Sequence, residues 1–228
     1  MHEIQTQSSP KAPETTAMAK TRKVRDPQPG TRNHYIVDAC FLANWAIPPT
    51  VVPHKEQYRH ESCMKWWAMI EHQVKTGKAR IYAPDICIAE AFKVLAKKYY
   101  VERWFTNPLH FNRAKRKLRN FVTTPTSTLK RANRKISFHD VATTRDITVS
   151  IDRFHELFHK NGLHRVSVPD LIIVSTAKYL IDFFDLPKHQ LHIITLDKEL
   201  RKGSKVIQEL PNAYDPAEPA DAASKVFA

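Results

Sequence analysis

The chain predicts an α/β fold built on a parallel sheet, and three observations carry that expectation. Short apolar runs at 35–37 and 191–196 lack polar alternation, as strands buried on both faces do. Stretches of helical period lie between the strand-like runs, which argues for one parallel α/β unit, not separate all-α and all-β parts. Two of the runs end directly on an acid, Asp38 and Asp197, at the carboxyl end where open α/β sheets bind their ligands.

In chain order, residues 1–33 are rich in Thr, Pro, Lys and Arg and nearly devoid of large apolar side chains. Such a segment buries too little surface to offset its ordering entropy, so a disordered basic tail is expected. The domain proper is expected over 34–210. Its first strand ends at Asp38, and a short helical stretch to Trp45 is broken by Pro48, Pro49 and Pro53. Met64, Trp67 and Ile70 mark a helix over 56–76, with Gly77 as its stop. Residues 78–83 (KARIYA) read as a second strand. Pro84-Asp85 then opens a helix whose apolar face is Ile88, Phe92, Leu95 and Tyr99.

A basic helical insertion is expected over about 102–165, with breaks at Asn107-Pro108 and Thr124-Pro125 and a helix over 112–122. Ile147, Ile151, Phe154 and Phe158 repeat at helical spacing up to Asn161-Gly162. Pro169-Asp170 opens a further helix with Ile173, Ala177, Leu180 and Phe184 on one stripe. The strand at 191–196 follows, then a weaker run at 206–210 that reads as an edge strand. Residues 211–228, dominated by Pro, Ala and Asp, are expected to be a flexible tail.

The chain of 228 residues carries a formal net charge of +13. Between Lys93 and Lys135 stand thirteen Lys and Arg against one acid, Glu102, so nearly the whole excess is concentrated there. Clustered positive charge is the footprint of a polyanionic partner, because each cation on a phosphate releases counterions. Arg113, Lys115, Arg116, Lys117, Arg119, Lys130, Arg131, Arg134 and Lys135 are the expected nucleic-acid-backbone contacts. Trp104, Phe111 and Phe121 are stacking candidates for unpaired bases, with packing as the ordinary alternative. Cys40, Cys63 and Cys87 form no CxxC pair and suit reduced thiols. No apolar run approaches the ~18 residues of a membrane span, and no signal-peptide pattern is present, so a cytoplasmic protein is expected.

Four acids are the candidate site residues, and each has an ordinary structural role beside the functional one. Asp38 and Asp197 can cap the helices that follow them. Asp170, three residues after Ser167, fits a capping box, and Glu90 can be a solvated helical glutamate. As a set they are harder to dismiss. Two strand ends and a helix start on one edge of a parallel sheet converge on a single crevice. Carboxylates brought together there repel unless a cation or protons offset them. Hard oxygen donors favour Mg²⁺ or Mn²⁺.

On these residues the chain resembles PIN-domain nucleases, the fold of VapC-type toxins of bacterial toxin–antitoxin pairs and of several RNA-processing endonucleases. IVDACFLAN around Asp38 resembles the family's first-strand motif, and APDICIAEAFKVL the helix that supplies its glutamate, at Glu90. VPDLIIVSTAKYL is similar to the third motif, with Asp170 as the acid and Ala177 in the small-residue position. IITLDKEL resembles the fourth, a Thr-x-Asp with Thr195 and Asp197. Cys40 stands where the family usually has Ser or Thr, and the segment 102–165 is longer and more basic than in compact toxins. The resemblance implies a three-layer α/β/α fold around the parallel sheet and a metal-dependent endoribonuclease. It implies Asp38, Glu90, Asp170 and Asp197 as metal-holding catalytic acids, with Thr195 beside them and Mg²⁺ or Mn²⁺ as cofactor. An antitoxin-like protein and a homodimer are the partners it suggests besides RNA.

Two other readings stand beside it. One is a nucleic-acid-binding protein whose PIN-like site is degenerate. The other is a zinc hydrolase, because His155-Glu156-Leu157-Phe158-His159 spells HExxH, which on a helix places both histidines on one face. Gly162 fits the extended form of that motif, but its last position is Arg165, and His164 falls one residue early. All four Met lie upstream, so the Met-turn of that protease group is missing.

Overall fold

The strand that ends on Asp38 forms the middle of the molecule. β1 (Asn33–Val37) pairs in parallel with β2 (Ala79–Pro84) on one side and with β4 (Leu191–Ile194) on the other. β3 (Phe138–Val141) and β5 (Asn212–Tyr214) complete a five-stranded, all-parallel sheet in the order β3-β2-β1-β4-β5. The computed structural model describes residues 32–123 and 138–218.

Tyr35, Ile36 and Val37 are fully buried, so both faces of β1 are covered. The reason lies in the strand's alternation of side chains. Tyr35 reaches α2 (His54–Lys75), its hydroxyl donating to Gln73 Oε1 at 2.7 Å. On the opposite face His34 and Tyr82 meet Phe184 of α6 (Val168–Phe184), with ring centroids 6.4 Å from it in each case. Helix, sheet and helix make the three layers expected of the α/β class. Across the sheet edge, α1 (Ala39–Ala46) and α3 (Asp85–Tyr100) pack together and α4 (Pro108–Thr123) packs on both. α5 (Arg145–Lys160) packs on α6, and α7 (Lys198–Val206) on β5. Among the described residues no helix is long and apolar enough to cross a membrane. All three cysteines are free.

The structure corrects three boundaries. The segment at 102–165 is not a purely helical insertion, because β3 pairs with β2 and forms one edge of the sheet. Thr143, just past β3, is fastened to the start of α3: its hydroxyl donates to Asp85 Oδ1 at 2.5 Å and its amide to Oδ2 at 3.2 Å. The run at 206–210 is no strand. α7 ends at Val206, and Ile207 and Leu210 anchor a turn, both buried, with the Leu210 amide donating to the Ile207 carbonyl at 3.0 Å. The edge strand lies further on, at Asn212–Tyr214, so the flexible tail expected from 211 starts too early. Asp215 follows β5, buried and paired to Arg201 Nη2 at 3.2 Å. Residues 219–228 of that tail, and 1–31 of the N-terminal one, lie outside the described residues.

One contact fixes how closely α7 approaches α5. A Cβ on Gly203 would lie 2.2 Å from Cζ of Phe158, which is fully buried. Gly203→Ala improves helix propensity by about 1 kcal/mol, yet it must displace a ring wedged in the core, and overpacking of that kind costs roughly 1–3 kcal/mol. The variant is expected to unfold at lower urea concentration than the parent; an unchanged or higher midpoint would contradict the close packing.

Candidate metal centre

β1 and β4 run side by side, with Val37 opposite Ile194, so whatever leaves their carboxyl ends leaves together. From β1 the chain steps outward to β2 and β3, then returns to place β4 and β5 on the other side. The crevice between β1 and β4 is therefore the topological switch point, where open α/β sheets form their sites.

Asp38 sits at that point and is 6% exposed. Its Oδ1 accepts the Phe41 amide at 2.6 Å, capping α1, and its Oδ2 accepts the Thr195 hydroxyl at 2.7 Å and the Leu196 amide at 3.1 Å. The Thr195 oxygen in turn accepts the Asp197 amide at 2.9 Å. One residue of the Thr-x-Asp motif thus holds both acids in register. Burial pushes the Asp38 carboxyl up to about 6, against the three hydrogen bonds that favour its ionised form, and the charge of Asp170 adds to the rise.

Asp170 belongs to the first turn of α6 and forms the capping box the sequence suggested. Its Oδ2 accepts the Ser167 hydroxyl at 2.5 Å and the Ser167 amide at 3.1 Å, while its own amide donates to Ser167 Oγ at 3.3 Å. Burial is the first cause that raises its carboxyl above the usual range. Ser167 opposes this, and the charges of Asp197 and then Glu90 push it further up. Asp197, exposed, caps α7 by accepting the Leu200 amide at 2.8 Å. Glu90 is half-buried on α3, which packs against both α1 and α6.

All four sequence-predicted acids lie toward the carboxyl edge of the sheet, where the charge of Asp170 acts on Asp38 and those of Asp197 and Glu90 act on Asp170. None forms an ion pair with Lys or Arg among the described residues. They do not yet make a closed cage: among the described residues, no three or more His, Cys, Asp or Glu side chains are set to hold an ion. Three of the four spend an oxygen on a helix amide or cap. Their carboxylate oxygens are of the donor type that hard divalent ions take.

Cys40 is half-buried beside the acids, and burial first, then the charge of Asp38, pushes its thiol up to about 12. It stays a neutral thiol where the resemblance puts a hydroxyl. It also lines a cleft of about 280 Å³, together with Asn44, Arg59, Lys97, Lys98, Trp104 and Asp197. Lys98 lies 3.2 Å above the centre of the Trp104 ring, and Asn44 Nδ2 donates to the Cys40 carbonyl at 3.0 Å. Asn44 and Arg59 had no assigned role in the sequence, and Lys98 was counted only with the basic segment. The one available signal was that Lys98 follows Glu90 by eight residues, about two helical turns along the same face.

The basic face of α4 is real. Arg113, Lys115, Arg116, Lys117 and Arg119 are exposed, while Phe111, Ala114 and Leu118 are buried beneath them. Lys117 is tied down, its Nζ donating to the Trp45 carbonyl at 2.5 Å and lying 4.2 Å from the Trp45 ring centre. Lys130, Arg131, Arg134 and Lys135 fall outside the described residues. Of the three aromatic candidates, Phe111 is stacked on Tyr99 at 4.4 Å and Phe121 packs on Trp45 at 4.4 Å, so both serve packing. Trp104 is largely buried but borders the cleft. The HExxH histidines lie on the exposed side of α5, with Glu156 paired to Lys160 at 3.0 Å.

No family model matches the chain, and no curated protein does. Fold and site alone define the class: a three-layer α/β protein with an acidic crevice at the switch point of its sheet and a basic helix on its flank.

The raised Asp38 has a consequence for stability. The folded chain holds that proton up to about pH 6, the unfolded chain only to about 4. Folding therefore binds a proton within that window, and stability falls as pH rises through it. Above it the buried charge costs on the order of 2–3 kcal/mol. In metal-free buffer, Asp38→Asn is expected to gain stability relative to the parent by about that amount between pH 4 and 7, measured by urea unfolding. A difference that stays constant over this range would contradict the raised value.

Proposed function

We propose that the chain is a metal-dependent endoribonuclease of the PIN type, hydrolysing phosphodiester bonds of RNA. The observation that carries this reading is the meeting of Asp38, Glu90, Asp170 and Asp197, remote in sequence, at one sheet edge with no Lys or Arg paired to any of them among the described residues. Asp38, Glu90, Asp170 and Asp197 would hold Mg²⁺ or Mn²⁺. Bound there, such an ion supplies activation of water and neutralisation of charge on the phosphoryl group.

The remaining tasks fall to this chain's own side chains. Thr195 orients Asp38 and positions the Asp197 amide, and Ser167 fixes one oxygen of Asp170. Cys40, a neutral thiol, adds no charge to the crevice. Arg59, paired with Glu56 at 3.6 Å, and Lys97 and Lys98, paired with Glu102 at 3.5 and 3.8 Å, border the adjoining cleft and would turn from those acids to phosphates on either side of the scissile one. Exposed Arg113, Lys115, Arg116 and Arg119 on α4 extend that positive surface for a longer strand. A cytoplasmic setting, a toxin role with an antitoxin-like partner, and a homodimer belong to the same proposal, on the resemblance of the four motifs.

Cleavage of a mixed RNA pool tests it. The parent is expected to cut with Mg²⁺ or Mn²⁺ and to stop in EDTA. Asp38→Asn and Asp170→Asn are each expected to lower the rate on the order of a hundredfold or more. Parent-like cleavage by both variants would end the assignment. RNA binding that weakens steeply with salt, without turnover under any metal, would identify a binding protein with a degenerate site.

A further inference from the structure

The histidines of the HExxH stretch are not claimed by the acidic crevice, and the structure adds a third to them. α5 ends at Lys160, and Gly162, in the left-handed region at φ 75°, turns the chain back. Three backbone bonds lock that turn: Asn161 to the Phe158 carbonyl at 3.1 Å, Gly162 to His159 at 2.9 Å, and Leu163 to Phe158 at 3.0 Å. Leu163 is buried, which anchors the residue after it. His164 consequently folds over the last turn of α5. Its ring centre lies 4.8 Å from that of His159, and the two Nδ1 atoms are 3.1 Å apart, one N–H donating to the other's lone pair. His155, one turn earlier on the same face, has its ring centre 4.3 Å from that of His159.

Two imidazole nitrogens at 3.1 Å are spaced as metal ligands are. A tetrahedral ion with nitrogen ligands at about 2.0–2.1 Å separates them by about 3.3 Å. We propose that His155, His159 and His164 form a surface site for a borderline transition-metal ion of the zinc type, separate from the carboxylate crevice and independent of the nuclease reading. The ion takes the place of the shared proton between His159 and His164, and that proton moves to the other nitrogen of its ring. No three such side chains among the described residues hold an ion as they stand, so His155, exposed on the helix, would supply the third ligand by a change of rotamer. Burial and then the neighbouring imidazoles His155 and His164 keep His159 on the neutral side of its usual range, the form that binds metal. Carboxylate oxygens select hard ions, whereas imidazoles suit zinc, nickel and copper, so the two sites differ in the metal they prefer. Glu156 is turned to Lys160, so the site is assigned as a binding site, with no hydrolysis attributed to it.

Zinc titration of the full, metal-stripped chain by calorimetry, in excess Mg²⁺ to occupy the carboxylates, is the test. The parent is expected to bind one zinc ion that His159→Ala and His164→Ala each weaken by about tenfold or more, with His155→Ala weakening it as well. Asp38→Asn is expected to leave that event in place. An isotherm unchanged in the His159→Ala/His164→Ala double variant, loss of the event in Asp38→Asn, or no zinc uptake by the parent would each overturn the proposal.

Discussion

One carboxylate joins the two halves of this fold. Asp38 caps the helix leaving β1 with one oxygen, and with the other it holds the hydroxyl and amide that leave β4. The strands on either side of the switch point are thus tied at their ends as well as along their backbones. Burying an anion is costly unless it is hydrogen-bonded, and three donors offset only part of that cost here, since the carboxyl remains raised to about 6. The residual cost is electrostatic, and the proposed cation would relieve it more directly than a further hydrogen bond could.

The charges are laid out to match. Acids meet where two parallel strands diverge, and cations stand back from them, on the rim of the adjoining cleft and along α4. The cleft cations are paired with Glu56 and Glu102, while none of the four acids has an ion pair with Lys or Arg among the described residues. A polyanion lying along the basic surface would bring a phosphate to the acidic point only with a metal ion between them. Cys40 fits this arrangement because its thiol stays neutral among the acids.

Much of this was legible in the sequence, for physical reasons. Buried strands ending on an acid, and a Ser-x-x-Asp before an apolar helix, are local signals, so Asp38, Asp170 and Asp197 could be placed on one edge before any coordinates. Their capping roles are present, and they leave the second oxygen of each carboxylate to its surroundings. β3 and β5 were not legible. Phe138–Val141 and Asn212–Tyr214 are short edge strands, partly exposed, whose pairing is set by backbone contacts made far along the chain. Ile207 and Leu210 looked like a strand because a buried turn also needs apolar anchors. Lys98 gained its place through Trp104, six residues on, where the chain turns back at the end of α3 and the Trp104 amide donates to the Lys98 carbonyl at 2.9 Å. His164 is one position off the extended metalloprotease pattern, yet a left-handed glycine brings it onto His159, because a turn sets distance in space and not in residue count.

The central claim is that four acids form one site for a hard cation, and Mn²⁺ binding followed by electron paramagnetic resonance reads it without reference to turnover. The parent is expected to take up Mn²⁺ at the crevice, with Asp38→Asn, Glu90→Gln, Asp170→Asn and Asp197→Asn each weakening uptake while the fold is retained. Uptake by all four variants equal to that of the parent would contradict the account.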